Sequence, residues 1–595
     1  MKMKITIYLF VFGILSSFGV ESQILTHQLS MSQPQSHYFE VSTSLDISKL
    51  KNHNKSFVDF KMAAWTPGSY LIREFAKNVE QVKAKLNNET VSIHKINKNT
   101  WRVNFPAGLK TGIIQVSYLV YAYEMSVRTS FLDDAHGYLN PASIFMYVED
   151  LANQPIQLKI IPHSSFSKVS TALSPSGNFQ YVAKNLDELI DSPIEIGNHQ
   201  EFEFKVKNIP HKIAFYGPAK VNSEKFLQDV QKMCETAMNV VGDHPCDHYL
   251  FIIHNLNRGG GGLEHLNSTT CQVTRSAYEN ETGYTGILNL LAHEYFHLWN
   301  VKRIRPMALG PFDYENENYT HNLWFSEGIT SYYADLILFR AGFVSKSNYL
   351  KGLADEITAV ENTPGNKIES AADASWDAWI KYYRPNENSR NSTISYYDKG
   401  SVLGGVLNLW IINASKGKKS LDDVYKFLYT NYYQKLGRGF TDAELENAFS
   451  EVAGVSAKDL FSQLIYGTTT PSYANLFKAV GYDWNNLNET KELPFLGLST
   501  QGTRVSLIYR NGPAYNFGLN VGDEILKVNQ ENFESIDKLL ANKKIGDSIL
   551  FTVKRDGMEK NYMIPVVKSP LSQFEIKSID NSSAQQQELE KKWLK

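Results

Sequence analysis

Leu291-Ala292-His293-Glu294-Tyr295-Phe296-His297-Leu298-Trp299-Asn300 carries two histidines four positions apart, with a glutamate directly after the first. The apolar residues around it predict a helix over about residues 283–300, in which His293 and His297 lie one turn apart on one face. Two imidazoles placed in this way can bind one metal ion, and Glu294 is positioned to accept a proton from an activated water. The alternative is a buried helix whose two histidines have only structural hydrogen bonds.

A third metal ligand is predicted further along the chain. Residues 322–333 have the pattern of the start of a second helix, which runs through Phe339. Glu327 is the carboxylate there that is best embedded among apolar neighbours, and a buried glutamate needs a partner. Because a histidine pair on one helix commonly takes its third ligand from a neighbouring helix, we predict that Glu327 completes the site.

A glycine run precedes the motif and follows the predicted buried strand of residues 249–253. No Lys-Ser/Thr pair follows Gly259–Gly262 and no helix begins at the right place, which excludes a nucleotide-binding loop. Glycines let another backbone approach closely, as an extended peptide would along a sheet edge, so Gly261 and Gly262 are candidate substrate-binding residues. The alternative is a flexible loop with an incidental Glu264.

Two tyrosines stand at the start of an apolar helix that is predicted over about residues 402–412. Tyr396 or Tyr397 could donate a hydrogen bond to the oxyanion that forms when water attacks a carbonyl. Because the chain contains 33 tyrosines, a role in the core or in capping the helix is the alternative.

The region before the catalytic motif, residues 23–206, has short alternating runs such as Tyr38-Phe39-Glu40-Val41-Ser42, separated by turn residues. This pattern predicts a β-sandwich or a similarly curved sheet. Trp65-Thr66-Pro67-Gly68-Ser69-Tyr70 interrupts it with a rigid turn, which is either a packed corner or a rim of the substrate cleft. Residues 207–490 combine strand and helix signals before becoming mainly helical.

The last compact unit, residues 491–570, is predicted to be a small strand-rich domain. It has an exposed edge and a glycine loop, Phe495-Leu496-Gly497-Leu498, whose amides can hold a terminal carboxylate. The polar tail, residues 571–595, is expected to be loose or weakly helical. The predicted fold is therefore multidomain α+β.

Composition excludes several classes of protein. At 595 residues the chain exceeds what one hydrophobic core usually supports, so three or four domains are expected. The net charge of −2 gives no electrostatic footprint for nucleic acid and no polybasic membrane patch.

The first 22 residues have the pattern of an export signal. Lys2 and Lys4 precede an apolar run that extends from Ile5 to about Val20, and we predict cleavage near Ser22. The mature protein is then periplasmic or secreted, without stable membrane insertion, while an uncleaved anchor is the alternative.

The three cysteines, Cys234, Cys246 and Cys271, match no zinc-ribbon or redox spacing. A single bridge between Cys234 and Cys246 and a set of three buried thiols both remain open.

Taken in order, these motifs resemble the M61 peptidases, whose name-giving activity is that of a glycyl aminopeptidase. The resemblance covers nearly the whole mature chain and ends in a PDZ domain. It implies a thermolysin-like catalytic domain of the gluzincin type, with one Zn²⁺ per chain held by His293, His297 and Glu327.

Related M1 aminopeptidases imply two further roles by motif position. Their glycine loop is similar to the segment that ends in Glu264, which would bind the free amine of a substrate, although His265 stands where those enzymes usually carry Asn. Their tyrosine motif is similar to Tyr397-Asp398-Lys399-Gly400. It makes Tyr397 the oxyanion donor and Tyr396 its neighbour in the substrate site.

The expected function is therefore zinc-dependent peptide hydrolysis with Glu294 as general base. An aminopeptidase acting on small N-terminal residues such as Gly or Ala is the first hypothesis. The alternatives are a periplasmic endopeptidase guided by its PDZ domain and a catalytically inert peptide-binding scaffold. Expected partners are peptide or protein substrates and a C-terminal peptide at the PDZ domain. Nucleic acid is not expected, and the oligomeric state is left open.

Overall fold

The structure is a computed structural model that describes residues 25–50 and 56–595. The predicted signal peptide, residues 1–22, lies outside the described residues. Among the helices of the described residues, none combines the length and the apolar character that crossing a membrane requires.

The N-terminal domain is built from β-strands packed around one apolar core. Strand β2 alternates buried and half-buried residues along its whole length, so one face of its sheet packs inward. The largest sheet has eight strands in the order β13-β14-β11-β1-β2-β8-β4-β5. The elements of this domain are β1 Leu25–Ser30, β2 Tyr38–Asp46, β3 Phe57–Lys61, β4 Val79–Leu86, β5 Glu89–Val91, β6 Ile93–Asn97, β7 Thr100–Asn104, β8 Ile113–Tyr121, β9 Phe131–Leu132, β10 His136–Leu139, β11 Ile156–Ile161, β12 Lys168–Thr171, β13 Ser174–Gly177, β14 Gln180–Ala183, α1 Leu186–Ile190 and β15 Ile194–Gly197.

The catalytic domain packs helices against a five-stranded sheet of order β16-β17-β18-β20-β19. The sequence pattern places Gln200–Val206 in the N-terminal domain, but this strand, β16, pairs with β17 in the catalytic sheet. Alternating polar and apolar residues predict a strand, but they do not indicate which sheet the strand joins. The elements are β16 Gln200–Val206, β17 Ile209–Tyr216, α2 Ser223–Val241, β18 Tyr249–Leu256, β19 Gly262–Glu264, β20 Ser268–Thr274, α3 Glu281–Phe296, α4 Ile329–Arg340, α5 Lys346–Glu361, α6 Ala371–Trp376, α7 Ser389–Ser392, α8 Tyr396–Ala414, α9 Leu421–Leu428, α10 Asp442–Ala453, α11 Lys458–Leu460, α12 Tyr473–Ala479 and β21 Tyr482–Asn486.

A buried trio of side chains joins the first two domains. Glu195 of β15 accepts a hydrogen bond from His136 Nδ1 at 2.8 Å and another from His254 Nε2 at 2.8 Å. All three side chains are buried, and His254 belongs to the catalytic sheet. Burial would raise the pKa of Glu195, but the two histidines outweigh it and hold that pKa at about 2.

The PDZ domain is inserted into the catalytic domain. Its elements are β22 Pro494–Phe495, β23 Leu498–Gln501, β24 Arg504–Ile508, α13 Pro513–Asn516, β25 Glu524–Val528, β26 Glu531–Asn532, α14 Ile536–Leu540, β27 Ser548–Arg555, β28 Met558–Pro565 and β29 Val567–Lys568. Strand β23 lies at the edge of the PDZ sheet. The chain then returns through β30, Phe574–Ser578, which pairs with β21.

The tail is helical, which is one of its two predicted forms, and it is docked on the catalytic domain rather than loose. Helix α15, Ala584–Leu594, begins with a capping box at Ser583. Its Trp593 is fully buried beside the rings of Phe477 and Tyr482 in the catalytic domain. Two apolar residues spaced four apart, Leu589 and Trp593, were too few for the sequence to indicate this docking.

The predicted multidomain α+β fold is confirmed, with a β-rich N-terminal domain, a mainly helical middle domain and a small strand-rich domain near the C-terminus. The three cysteines are free thiols, with Cys234 and Cys271 buried.

Candidate active site

The two histidines and Glu327 meet at one point, as the spacing predicted. The Nε2 atoms of His293 and His297 lie 3.0 Å apart, and Glu327 Oε2 lies 3.6 and 3.2 Å from them. Helix α3 ends at Phe296 rather than near residue 300, so His297 occupies its C-cap.

This donor set fits a metal ion. His297 Nδ1 donates to the backbone carbonyl of Asn300 at 2.8 Å, so a neutral ring would turn its Nε2 lone pair towards the other donors, whereas the protonated, metal-free ring donates from Nε2 to Glu327. One oxygen of Glu327, Oε1, is buried without a hydrogen-bond partner. Burial would raise the pKa of Glu327, but His297 and the hydrogen bonds from both histidines outweigh it and hold that pKa at about 2. Two imidazoles and one ionised carboxylate are ligands that Zn²⁺ prefers.

Asn300 was missed from sequence, although it supports both parts of the metal site. Its backbone carbonyl orients His297, and its side-chain Nδ2 donates to the carbonyls of Phe325 and Ser326 next to Glu327. Asn300 is completely buried. Partners of this kind fix the tautomer and orientation of a ligating histidine.

Glu327 lies in a wide π-type turn, residues 324–328, that precedes α4. A close crossing of glycines brings α8 against this turn: a Cβ added at Gly328 would lie 2.4 Å from the Cα of Gly400. The crossing places the first turn of α8, with Tyr396 and Tyr397, next to the predicted ligands.

Glu294 lies on α3 and faces β19, the strand at the edge of the catalytic sheet. Its side chain touches Gly262 of β19, since a Cβ added there would lie 2.3 Å from Glu294 Oε1. Burial is the main cause that raises the pKa of Glu294, to about 8, and the carboxylates of Glu264 and Glu327 add to it. A cation bound at the neighbouring donors would favour the ionised form, which is the form that accepts a proton.

Glu264 joins the same cluster from the edge strand. One of its oxygens lies within 4.8 Å of ligand atoms of Glu294 and His297. The residue is 4% exposed, and its Oε1 has no hydrogen-bond partner. Three buried carboxylates therefore surround the histidines, a distribution that favours a cation.

The Trp65–Tyr70 turn forms both a packed corner and a rim of the site. Trp65 and Tyr70 are buried against Trp379, with ring centroids 5.1 and 5.7 Å away. Gly68, at φ +83°, lies so close to Glu264 that an added Cβ would be 2.6 Å from both carboxylate oxygens. The N-terminal domain thus covers one side of Glu264, a contact that sequence did not indicate.

His265 is placed differently from the other predicted residues. Its Nδ1 lies 3.0 Å from Asp191 Oδ1, which also accepts a hydrogen bond from Lys302 at 3.0 Å. The ring is 1% exposed. Although His265 follows Glu264 directly, it belongs to this buried ion-pair network with Asp191 and Lys302.

Tyr397 and Tyr396 stack on each other at 4.7 Å between ring centroids. The Tyr397 ring lies 6.3 Å from that of His293, and the Tyr396 hydroxyl is buried without a hydrogen-bond partner. Burial raises the pKa of both phenols well above the usual value, with Glu327 contributing at Tyr397 and Tyr383 at Tyr396. Both phenols therefore keep the proton that a hydrogen-bond donor needs.

Comparisons with known families agree with this arrangement. Residues 26–198 match the Peptidase M61 N-terminal domain, residues 286–403 match the M61 glycyl aminopeptidase domain and residues 486–566 match a PDZ domain. The second match contains the predicted ligands, Glu294 and both tyrosines, whereas the glycine loop lies outside it. No curated protein matches the chain.

A solved structure shares the architecture over almost the whole chain. An aminopeptidase N family protein from Idiomarina loihiensis is 28% identical, covers 96% of this chain and 100% of its own, and superposes with a TM-score of 0.87. An M1 zinc metallopeptidase from Deinococcus radiodurans is 12% identical, covers 76% of this chain and 94% of its own, and has a TM-score of 0.49. Yeast LTA4 hydrolase in complex with Bestatin is 12% identical, covers 77% of this chain and 71% of its own, and has a TM-score of 0.47. The last two likenesses are too weak to bear on function.

Proposed function

We propose that this chain, which belongs to the M61 peptidase family, is a zinc-dependent aminopeptidase that prefers small N-terminal residues such as Gly or Ala. The observation that carries the proposal is the position of Glu264. It lies beside Glu294 and His297, with the N-terminal domain covering it at Gly68.

One zinc ion per chain would be held by His293, His297 and Glu327. Such an ion supplies Lewis-acid chemistry, because it polarises a carbonyl and lowers the pKa of a water to near 7. Glu294 accepts the proton of the attacking water and passes it to the leaving amine. Tyr397 donates a hydrogen bond to the oxygen that becomes negatively charged.

Glu264 gives the site its selectivity for a free N-terminus. A buried carboxylate with an unpartnered oxygen binds a protonated amine through a charge-assisted hydrogen bond. An acetylated N-terminus carries no charge and would leave that carboxylate unpaired. Close packing of Gly68 on Glu264 also limits the room for further residues on the amine side. An endopeptidase would need this side to be open.

The proposal is tested with matched reporters, alanine p-nitroanilide and N-acetyl-alanine p-nitroanilide. We expect hydrolysis of the free amine only, loss of activity on chelation, and recovery with zinc. Glu264→Gln should raise KM strongly while the metal content stays unchanged. If peptides with blocked and free N-termini are cleaved equally well, the protein is an endopeptidase. If the zinc-loaded protein binds peptides without cleaving them, it is a scaffold.

Export to the periplasm or the medium is also a proposal, which rests on residues 1–22. N-terminal sequencing of the protein recovered from its own cells would show cleavage near Ser22. An intact N-terminus would support the uncleaved anchor instead.

A further inference from the structure

Two separate attachments join the PDZ domain to the catalytic domain. The first is a stem formed by the pairing of β21 with β30 and of β22 with β29. The second lies at α7 on the catalytic side, where Asn391 bonds the PDZ backbone and the Arg390 guanidinium lies 5.9 Å from the centroid of the Tyr509 ring. Because the PDZ domain contacts the catalytic domain at two points, a conformational change in the PDZ strands can be transmitted through Asn391 as well as through the stem.

Asn391 binds the PDZ backbone with both ends of its amide. Its Nδ2 donates to the Ile508 carbonyl at 2.8 Å, and its Oδ1 accepts from the Arg510 amide at 2.9 Å. Only 4% of the residue is exposed. The side chain thus pairs with the PDZ chain at the end of β24 as a neighbouring strand would, which fixes the position of Tyr509 between the two bonds.

Tyr509 is in turn bonded to the carboxylate loop, Phe495–Leu498. Its amide donates to the Gly497 carbonyl at 2.9 Å, and its ring lies 5.5 Å from that of Phe495. Gly497, at φ +72°, packs so closely on Gly512 that an added Cβ would lie 3.1 Å from the Gly512 Cα. The loop and the segment that Asn391 holds therefore form one packed unit.

Within the catalytic domain, Asn391 precedes Tyr397, the candidate oxyanion donor, by six positions in the chain. The intervening backbone is fixed by a hydrogen bond from the Ile394 amide to Glu369 Oε2 at 2.9 Å and by the close packing of the Thr393 carbonyl on Gly365. The Ser395 side chain then caps α8, in whose first turn Tyr397 lies. A short and tightly held segment thus links the PDZ contact to the candidate catalytic tyrosine.

We propose that Asn391 is a positioning residue that couples the PDZ carboxylate loop to Tyr397, so that a peptide C-terminus bound at the loop increases the hydrolysis rate. This inference rests on the proposed function. A bound peptide adds a strand at the β23 edge and immobilises the loop. A loop that is already ordered makes the Asn391 contact with a smaller loss of entropy, which holds Tyr397 more firmly.

The test uses the full-length zinc-loaded protein and alanine p-nitroanilide, a reporter without a C-terminal carboxylate. The probe is a pool of N-acetylated hexapeptides with three randomised C-terminal positions and a free carboxylate. The same pool with C-terminal amides is the control. We expect the carboxylate pool to raise kcat about fivefold or more with little change in KM, a size typical of coupled sites. The amidated pool should have no effect.

Asn391→Leu keeps the side-chain volume and removes both hydrogen bonds, so stimulation should be lost while the protein remains folded. The matched control is Asn362→Leu, because Asn362 makes the same pair of bonds to the backbone of Ser572 in the stem, at 2.8 and 2.9 Å. This variant should still be stimulated. Equal stimulation of the Asn391 variant, or an active wild-type protein that the carboxylate pool does not stimulate, would overturn the proposal.

Hydrogen exchange separates this proposal from the proposed function. The carboxylate pool should slow the exchange of amides in residues 393–397, whether or not the reporter is cleaved. Protection without hydrolysis would support the coupling and refute the peptidase. Hydrolysis without protection or stimulation would leave the peptidase in place and refute the coupling.

Discussion

Gly262→Ala is expected to disable the general base without unfolding the protein. The added Cβ would lie 2.3 Å from Glu294 Oε1 and 2.4 Å from its Cδ. The carboxylate must therefore retreat by about 1 Å, a displacement that costs on the order of a hundredfold in rate when it misplaces a catalytic group. The atoms that must move belong to the end of a side chain. The free energy of unfolding should therefore fall by less than the roughly 1–3 kcal/mol that is lost when a rigid site is overpacked.

The assay compares kcat, zinc content and thermal unfolding with those of Gly260→Ala. Gly260 lies in the same glycine run, but an added Cβ there meets no atom within 4 Å. We expect a fall in kcat of about a hundredfold for Gly262→Ala, equal zinc in both variants and near wild-type turnover for Gly260→Ala. Wild-type kcat in Gly262→Ala would refute the placement of Glu294 against the edge strand.

Three further predictions follow from buried side chains outside the reacting groups. Trp593→Ala should destabilise the protein by about 3–5 kcal/mol, seen as a lower Tm, because a completely buried indole leaves a cavity between the tail helix and the catalytic domain. Asn300→Ala should weaken zinc affinity by roughly 10–100-fold, measured by competition with a chelator, because the turn that carries Glu327 loses its bonds from Asn300 Nδ2 to the Phe325 and Ser326 carbonyls. Glu195 should make the free energy of unfolding depend on pH in the acid range. Its pKa is about 2 in the folded protein and 4.5 when unperturbed. The ionised carboxylate therefore stabilises the fold fully above pH 4.5, and this stabilisation is lost as pH falls towards 2. Urea unfolding should therefore show a smaller stability loss over that interval in Glu195→Gln than in the wild type, and identical pH profiles would contradict this role.

The sequence predicted the features that local spacing controls. The pattern at His293 and His297 placed both imidazoles on one side of a helix, and apolar surroundings identified Glu327 as a buried carboxylate. Strand β18 could be predicted because its first five residues, 249–253, are all apolar, as expected for a strand covered on both faces.

Features that depend on contacts between distant segments could not be predicted in this way. Nothing near Gly68 indicates that it packs on Glu264, and nothing near Asn300 indicates its bonds beside Glu327. The return of the tail through β30 to β21 depends on the closeness of the two ends of the PDZ domain in space, which periodicity does not report. His265 illustrates the same limit, since its partner Asp191 is far away in sequence.

The central claim is that His293, His297 and Glu327 hold a zinc ion beside a general base, Glu294. The most direct measurement is zinc content by mass spectrometry together with turnover of alanine p-nitroanilide, for the wild type and Glu294→Gln. We predict one zinc ion per chain in both proteins and turnover only in the wild type. Full activity of Glu294→Gln, or a wild-type protein that hydrolyses the reporter without metal, would contradict the claim.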